Sequence, residues 1–256
     1  MDYRKIDFWH LVLLAILLTF MAQLMHESGH WAVYEALGLG PVWGFSSLVQ
    51  IWGDPPLHPG AWITTIAPNG DNGWLRLASD PSNTQENWML ISGPVASLLG
   101  VIAGLFLMHW NSNRLTKQMG LIFALIGSIT MSQHYLRGFS GTSGDEYFLA
   151  AQLGIPIYML YIPLGLAFVT TLVLGFWVLG DWLTRLKWFG GILLGSMPAG
   201  IFLMNANALV TTSIDQGNQL FQPFLGWSSP VLVVNAIAVT ALLLWWKRDQ
   251  KHRISK

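Results

Sequence analysis

Cysteine is absent from the 256-residue chain. Disulfides, thiolate catalysis and Cys-based metal sites are excluded with it, so any metal must be held by His, Asp or Glu. Charge is scarce as well. Only 10% of the residues are Asp, Glu, Lys or Arg, against about a quarter in a soluble domain. The formal net charge is zero, and nothing in it points to nucleic acid. Apolar residues, by contrast, make up 53% of the chain and fall in long blocks. That is the composition of an integral membrane protein.

Six apolar blocks are long enough to span, since about 20 residues cross the hydrocarbon. They run from Phe8 to Leu37, Trp88 to Trp110, Gln118 to Tyr135, Pro156 to Leu183, Trp188 to Val210 and Ser229 to Trp246. The first follows positive charges, as a signal peptide does, but its apolar run is too long and lacks a small-residue cleavage site. It reads as a retained membrane helix. With six spans both termini share one side, and that side carries eleven of the Lys and Arg residues against two, Arg76 and Arg137, on the other. The positive-inside rule makes both termini cytoplasmic. Trp9, Trp88, Trp110, Trp188, Trp245 and Trp246 fit an interfacial aromatic belt. Asn205, Asn207 and Asn235 lie inside later spans, where hydrogen bonding between helices is the expected use.

Between the first two blocks, residues 38–86 are rich in Gly, Pro, Asn and Asp, with short apolar pieces such as "AWITTIA" and a turn signal, "NGDNG". A small strand-and-loop element, of β-hairpin type, is expected there at the membrane surface. Such backbone cannot face lipid, so it must pack on helices or line a wet cavity. The expected fold is therefore a single integral membrane domain over residues 1–256, all-α and polytopic. Within it residues 8–151 form the core with the 38–86 element, residues 156–246 supply three further helices, and residues 247–256 form a basic cytoplasmic tail.

One stretch breaks the apolar pattern. "LTFMAQLMHESGHWAVYEAL" holds His26, Glu27 and His30 within the first span. A charged residue at mid-membrane costs at least about 2.5 kcal/mol, so such residues are rare and usually functional. His26-Glu27-Ser28-Gly29-His30 is an H-E-x-x-H motif. Residues four apart share a helix face, so both imidazoles reach one ion. Zinc accepts imidazole and carboxylate ligands, three from the protein plus water in catalytic sites. Glu27, beside the first ligand, is then placed as general base. The bland alternative is a helix end that has reached water. His26 lies 17 residues after Trp9, about 25 Å along a helix at 1.5 Å per residue. That depth is still inside the hydrocarbon, nearer the far side.

A third ligand is needed, and ionisable residues are few. Asp145, in "LRGFSGTSGDEYFLAAQLGIP", heads a short helical pattern that ends before Pro156. Its alternative role is a helix N-cap. Glu146 is adjacent, but consecutive helical residues face different ways, so one of the two is expected to reach the metal. His134, at the end of the third span, is the rival ligand; it would otherwise contact substrate or the developing charge, or simply sit at the interface. His58, in "DPPLHPGAW", reads as a loop histidine.

These residues resemble the site-2 protease family of intramembrane zinc metalloproteases. "HESGH" stands late in an early membrane helix. "LGLGPVWGF" is similar to the Gly-rich entry into that family's β-hairpin element, and "ISGPVASLLGVIAGLF" to the start of its next core helix. "GTSGDEYFLA" falls where the family has its third-ligand segment. The Asn-x-x-Pro that precedes that segment in the family is absent here, and Asp145 is followed by Glu146 rather than Gly. The resemblance, over residues 18–151, implies His26, His30 and Asp145 as zinc ligands and Glu27 as catalytic base. It implies hydrolysis of peptide bonds in a transmembrane protein substrate within the bilayer. The 38–86 element would hold that substrate extended, and the last three helices would form a gate. A lipid amide or ester hydrolase is the alternative, since the same zinc chemistry would serve. A metal transporter fits less well, because transporters spread ionisable residues over several helices.

Overall fold

The structure, a computed structural model, describes Tyr3 and residues 6–38, 41–42, 50–51, 63–66, 72–75, 82–111, 113–138, 144–215, Leu220, 223–224 and 227–254. Six of its helices are long and apolar enough to cross a membrane, so the chain is an all-α, multi-pass membrane protein. The long helices are α1 (Phe8–Ala36), α2 (Asn83–Trp110), α3 (Arg114–Gly138), α5 (Tyr158–Val178), α6 (Trp182–Asp215) and α7 (Ser229–Ile254), and the short α4 (Asp145–Leu153) lies between α3 and α5. Helix α1 is central. It packs against α2, α3, α6 and α7, while α2 and α3 pack on each other, α5 lies on α3, and α4 lies on α2.

The helix ends have local causes. Asp7 caps α1, its carboxylate accepting from the Trp9 and His10 backbone N–H groups at 3.0 and 3.1 Å. Ser82 and Gln85 form a capping box at the start of α2. That box begins the second span at Asn83, five residues before Trp88, and makes residues 83–86 helical rather than loop. The turn between α5 and α6 passes through Gly180 in the left-handed region (φ 79°). It divides the chain earlier than the apolar pattern does, so α6 begins at Trp182. Trp188 is thereby one turn and a half inside α6, fully buried, with its indole N–H donating to the Tyr3 carbonyl at 3.2 Å. It is a packing residue and no part of an interfacial belt. Helix α7 runs through Ile254, so most of the basic tail is helical.

The outside of the bundle is apolar. Leu99, Ile102, Phe106, Leu166, Val173, Ile201 and Leu243 are all exposed, as suits helices solvated by lipid tails. Trp9, Trp88, Trp110, Trp177 and Trp182 are exposed at or near helix ends, where an indole sits at headgroup level. Inside, Leu11, Leu14, Leu121, Ile122, Leu125, Trp188 and Ile192 knit α1, α3 and α6 together. Among the described residues Asn205 and Asn235 show a local bond rather than one between helices. Each amide donates to the carbonyl four residues earlier in its own helix, Ile201 and Val231, at 2.8 and 2.9 Å. That local bond satisfies the donor with no partner helix. The Asn207 side chain lies outside the described residues.

Most of residues 38–86, with His58 and Arg76, also lies outside the described residues. Within it the backbone forms short antiparallel pairs, β1 (Pro41–Val42) with β2 (Gln50–Ile51) and β3 (Ile63–Ile66) with β4 (Asn72–Leu75). A third pair, β5 (Pro223–Phe224) with β6 (Trp227–Ser228), precedes α7.

Candidate metal centre

Helix α1 brings His26 and His30 onto one face, as their spacing requires. Asp145 comes from the first turn of α4, where a carboxylate is also favoured by the helix dipole. It does not cap the helix: Gly144 holds the cap position, and Asp145 is already helical. Its Oδ2 lies 3.3 Å from His26 Nε2 and 3.2 Å from His30 Nε2, and the two Nε2 atoms are 3.2 Å apart. Among the described residues this is the one group of three such side chains able to hold a metal ion.

The far side of each ring is also held. His30 Nδ1 donates to the Met89 carbonyl of α2 at 2.7 Å. A carbonyl can only accept, so Nδ1 carries the proton and a neutral ring presents a lone pair at Nε2. His26 Nδ1 lies 2.9 Å from the Ser97 hydroxyl, also on α2. Contacts of this kind orient imidazoles that ligate a metal. Helix α2 comes this close because of two glycines. A Cβ on Gly93 would overlap His30 Nε2 and lie 2.9 Å from His26 Cε1, and one on Gly29 would overlap the Ser92 carbonyl. Tyr34, Met89, Leu90 and Leu149 pack as an apolar cluster joining α1, α2 and α4 beside the site.

The three atoms fit a divalent ion. At Zn–N distances of about 2.0–2.1 Å, tetrahedral ligands sit about 3.3–3.4 Å from each other, and the observed edges are 3.2–3.3 Å. The same atoms also pair as His–Asp contacts, Oδ2 accepting from a protonated Nε2, so the triangle accommodates a metal without requiring one. Burial would raise the Asp145 carboxyl, but the His30 and His26 rings outweigh it and hold the group well below the usual carboxylate range. It is therefore anionic, as a ligand must be. The cluster is not sealed: the Asp145 and His26 side chains are 23% and 19% exposed, while that of His30 is 2% exposed.

Glu27 is 1% exposed. Its Oε1 accepts from Gln23 Nε2, one turn earlier in α1, at 2.8 Å. Its Oε2 is buried with no hydrogen-bond partner among the described residues. A buried carboxylate oxygen left free is costly and needs a water or a reacting group beside it.

His134 takes no part in the cluster. Its Nε2 lies 3.0 Å from Glu146 Oε2, and Tyr135 donates its hydroxyl to Glu146 Oε1 at 2.6 Å. Asp145 and Glu146 diverge, as neighbours in a helix must: one turns to α1, the other to α3. His10 pairs with Asp7 at the start of α1, far along the helix from the motif. Ser97, the Met89 carbonyl, Gly93 and Gln23 were not singled out from sequence. For Gln23 a signal exists, since it lies four residues before Glu27 on the same helix face.

Comparison with protein-family models, curated proteins and solved structures gave no match. The site is therefore read from its own chemistry.

Proposed function

We propose that the chain is an intramembrane zinc metalloprotease, similar in its chemistry to the site-2 protease family. The observation that carries this reading is the triangle of His26 Nε2, His30 Nε2 and Asp145 Oδ2, with the buried and half-satisfied Glu27 next to it in an H-E-x-x-H helix. His26, His30 and Asp145 would hold zinc. When bound, zinc supplies Lewis acidity, polarising a carbonyl and acidifying water.

The rest is the work of the chain's own side chains. Met89 and Ser97 orient the imidazoles, and Gln23 fixes one oxygen of Glu27. The free Glu27 Oε2 takes the proton of the water that attacks the scissile carbonyl carbon, then returns it to the leaving amine nitrogen. The buried setting of Glu27 strengthens both transfers by excluding bulk water. A peptide bond in a transmembrane helix is shielded by that helix, so the substrate segment must unwind locally before attack.

The eleven-to-two distribution of Lys and Arg supports cytoplasmic termini. His26 and His30 lie late in α1 and Asp145 just after α3, so with cytoplasmic termini the cluster would lie nearer the non-cytoplasmic face. The concentration of ionisable groups at one place supports an enzyme over a transporter.

The test is cleavage of a transmembrane protein substrate by the purified chain in detergent or vesicles. Cleavage that a chelator abolishes, and that Glu27→Gln abolishes, supports the reading. Chelator-sensitive hydrolysis of a lipid amide or ester, with no peptide-bond cleavage, would replace it with the lipid hydrolase.

A further inference from the structure

A second polar cluster lies beside the metal residues, and the mechanism above leaves it unused. Glu146 is a carboxylate only 1% exposed, yet both its oxygens are occupied, Oε2 by His134 at 3.0 Å and Oε1 by the Tyr135 hydroxyl at 2.6 Å. Its partners are consecutive residues near the end of α3, so the carboxylate ties the first turn of α4 to that helix. Tyr135 is itself fixed. It is buried, its ring stacks on Phe168 of α5 with centroids 5.9 Å apart, and it meets Tyr161 edge-on at 5.4 Å.

The backbone is shaped to the same contact. Gly144 enters α4 with φ 114°, a left-handed value that side chains disfavour. A Cβ there would lie 2.8 Å from His134 Cε1. Among the described residues no side chain caps α4, and the Glu146 pair takes the place of a local anchor. Asp145 is the residue just before Glu146. In a helix consecutive side chains point about 100° apart, so fixing Glu146 against α3 turns Asp145 toward α1.

Resting on the zinc reading above, we infer that Glu146 is a positioning residue, which, clamped by His134 and Tyr135, sets the placement of Asp145 as third metal ligand. Glu146 binds no metal and touches no substrate. It fixes the rotation and height of α4 so that Asp145 Oδ2 reaches both Nε2 atoms at once. A metal held by two ligands on a rigid helix and one on a short helix depends on whatever holds the short helix.

Cobalt(II) is the probe, because its visible bands report ligand number and geometry. The full-length protein in detergent is stripped with chelator and titrated with cobalt(II) alone, for the parent, Glu146→Gln and Tyr135→Phe. Glu146→Gln keeps the side-chain volume and loses the second acceptor; Tyr135→Phe removes a single hydroxyl and decides the matter if the first variant does not fold. The expected result is one tetrahedral cobalt in the parent, with weaker binding by about 10–100-fold in the variants, the usual effect of losing an outer-shell partner, and shifted bands. A merely structural role would lower the melting temperature of the stripped protein and leave the bands of bound cobalt unchanged, which would overturn the inference. Unchanged affinity and bands in both variants would overturn it too, while leaving the metal site intact. A folded parent that takes up no cobalt would remove the zinc reading itself, and this inference with it.

Discussion

Gly93 of α2 lies against the Nε2–Cε1 edge of the His30 imidazole of α1, so close that a Cβ on it would overlap Nε2. The first prediction follows from that contact. Gly93→Ala forces the ring to move, and overpacking of this kind typically costs about 1–3 kcal/mol. Zinc affinity, measured by competition with a chromogenic chelator, is expected to fall by about one to two orders of magnitude. Gly190→Ala, where a Cβ meets nothing within 4 Å, should leave it unchanged.

Ser97 is the partner of His26 Nδ1. Ser97→Ala leaves all three ligands in place and removes what orients one of them. Zinc affinity should drop about 10-fold, within the 10–100-fold range for such contacts, with the helical content of the protein unchanged. Equal affinity in parent and variant would mean that the ring needs no hydroxyl to hold it.

On the proposed reading, Glu27 separates binding from chemistry. It is no member of the ligand triangle, so Glu27→Gln should retain its zinc. Turnover should fall by at least about 10²-fold, the smallest usual effect of losing a general base. Loss of the metal in this variant would make Glu27 a ligand instead.

Trp188 provides a control far from the site. Trp188→Phe removes the indole N–H bonded to the Tyr3 carbonyl, a buried bond worth about 1 kcal/mol. The thermal midpoint should fall modestly, and zinc content per folded chain should not change.

How much of this could be read from sequence depends on the range of the contact. The His26–His30 pair was legible because four-residue spacing is a property of one helix. Asp145 was legible because the chain has few ionisable residues to choose from. Glu146 was expected to diverge from it, and it does. The outer contacts were not legible: Ser97 and the Met89 carbonyl reach the imidazoles across 71 and 59 residues of sequence, and only the docking of α2 on α1 brings them there. His134 offers three roles in sequence, as ligand, substrate contact or interfacial residue; the structure pairs it with the buried Glu146 carboxylate, outside the ligand triangle. The number of spans was legible from apolar length, but their limits were not. The Ser82–Gln85 capping box and the left-handed Gly180 moved the ends, and with them the role of Trp188. Asn205 and Asn235 each show a bond to their own helix, a local option that a span sequence does not distinguish from a bond between helices.

The most direct measurement is zinc content per chain in detergent-purified protein, with Asp145→Ala alongside. The triangle of His26, His30 and Asp145 predicts about one zinc per chain in the parent, as in a catalytic site with three protein ligands, and much less in the variant. No zinc in a well-folded parent purified without chelator would contradict the account.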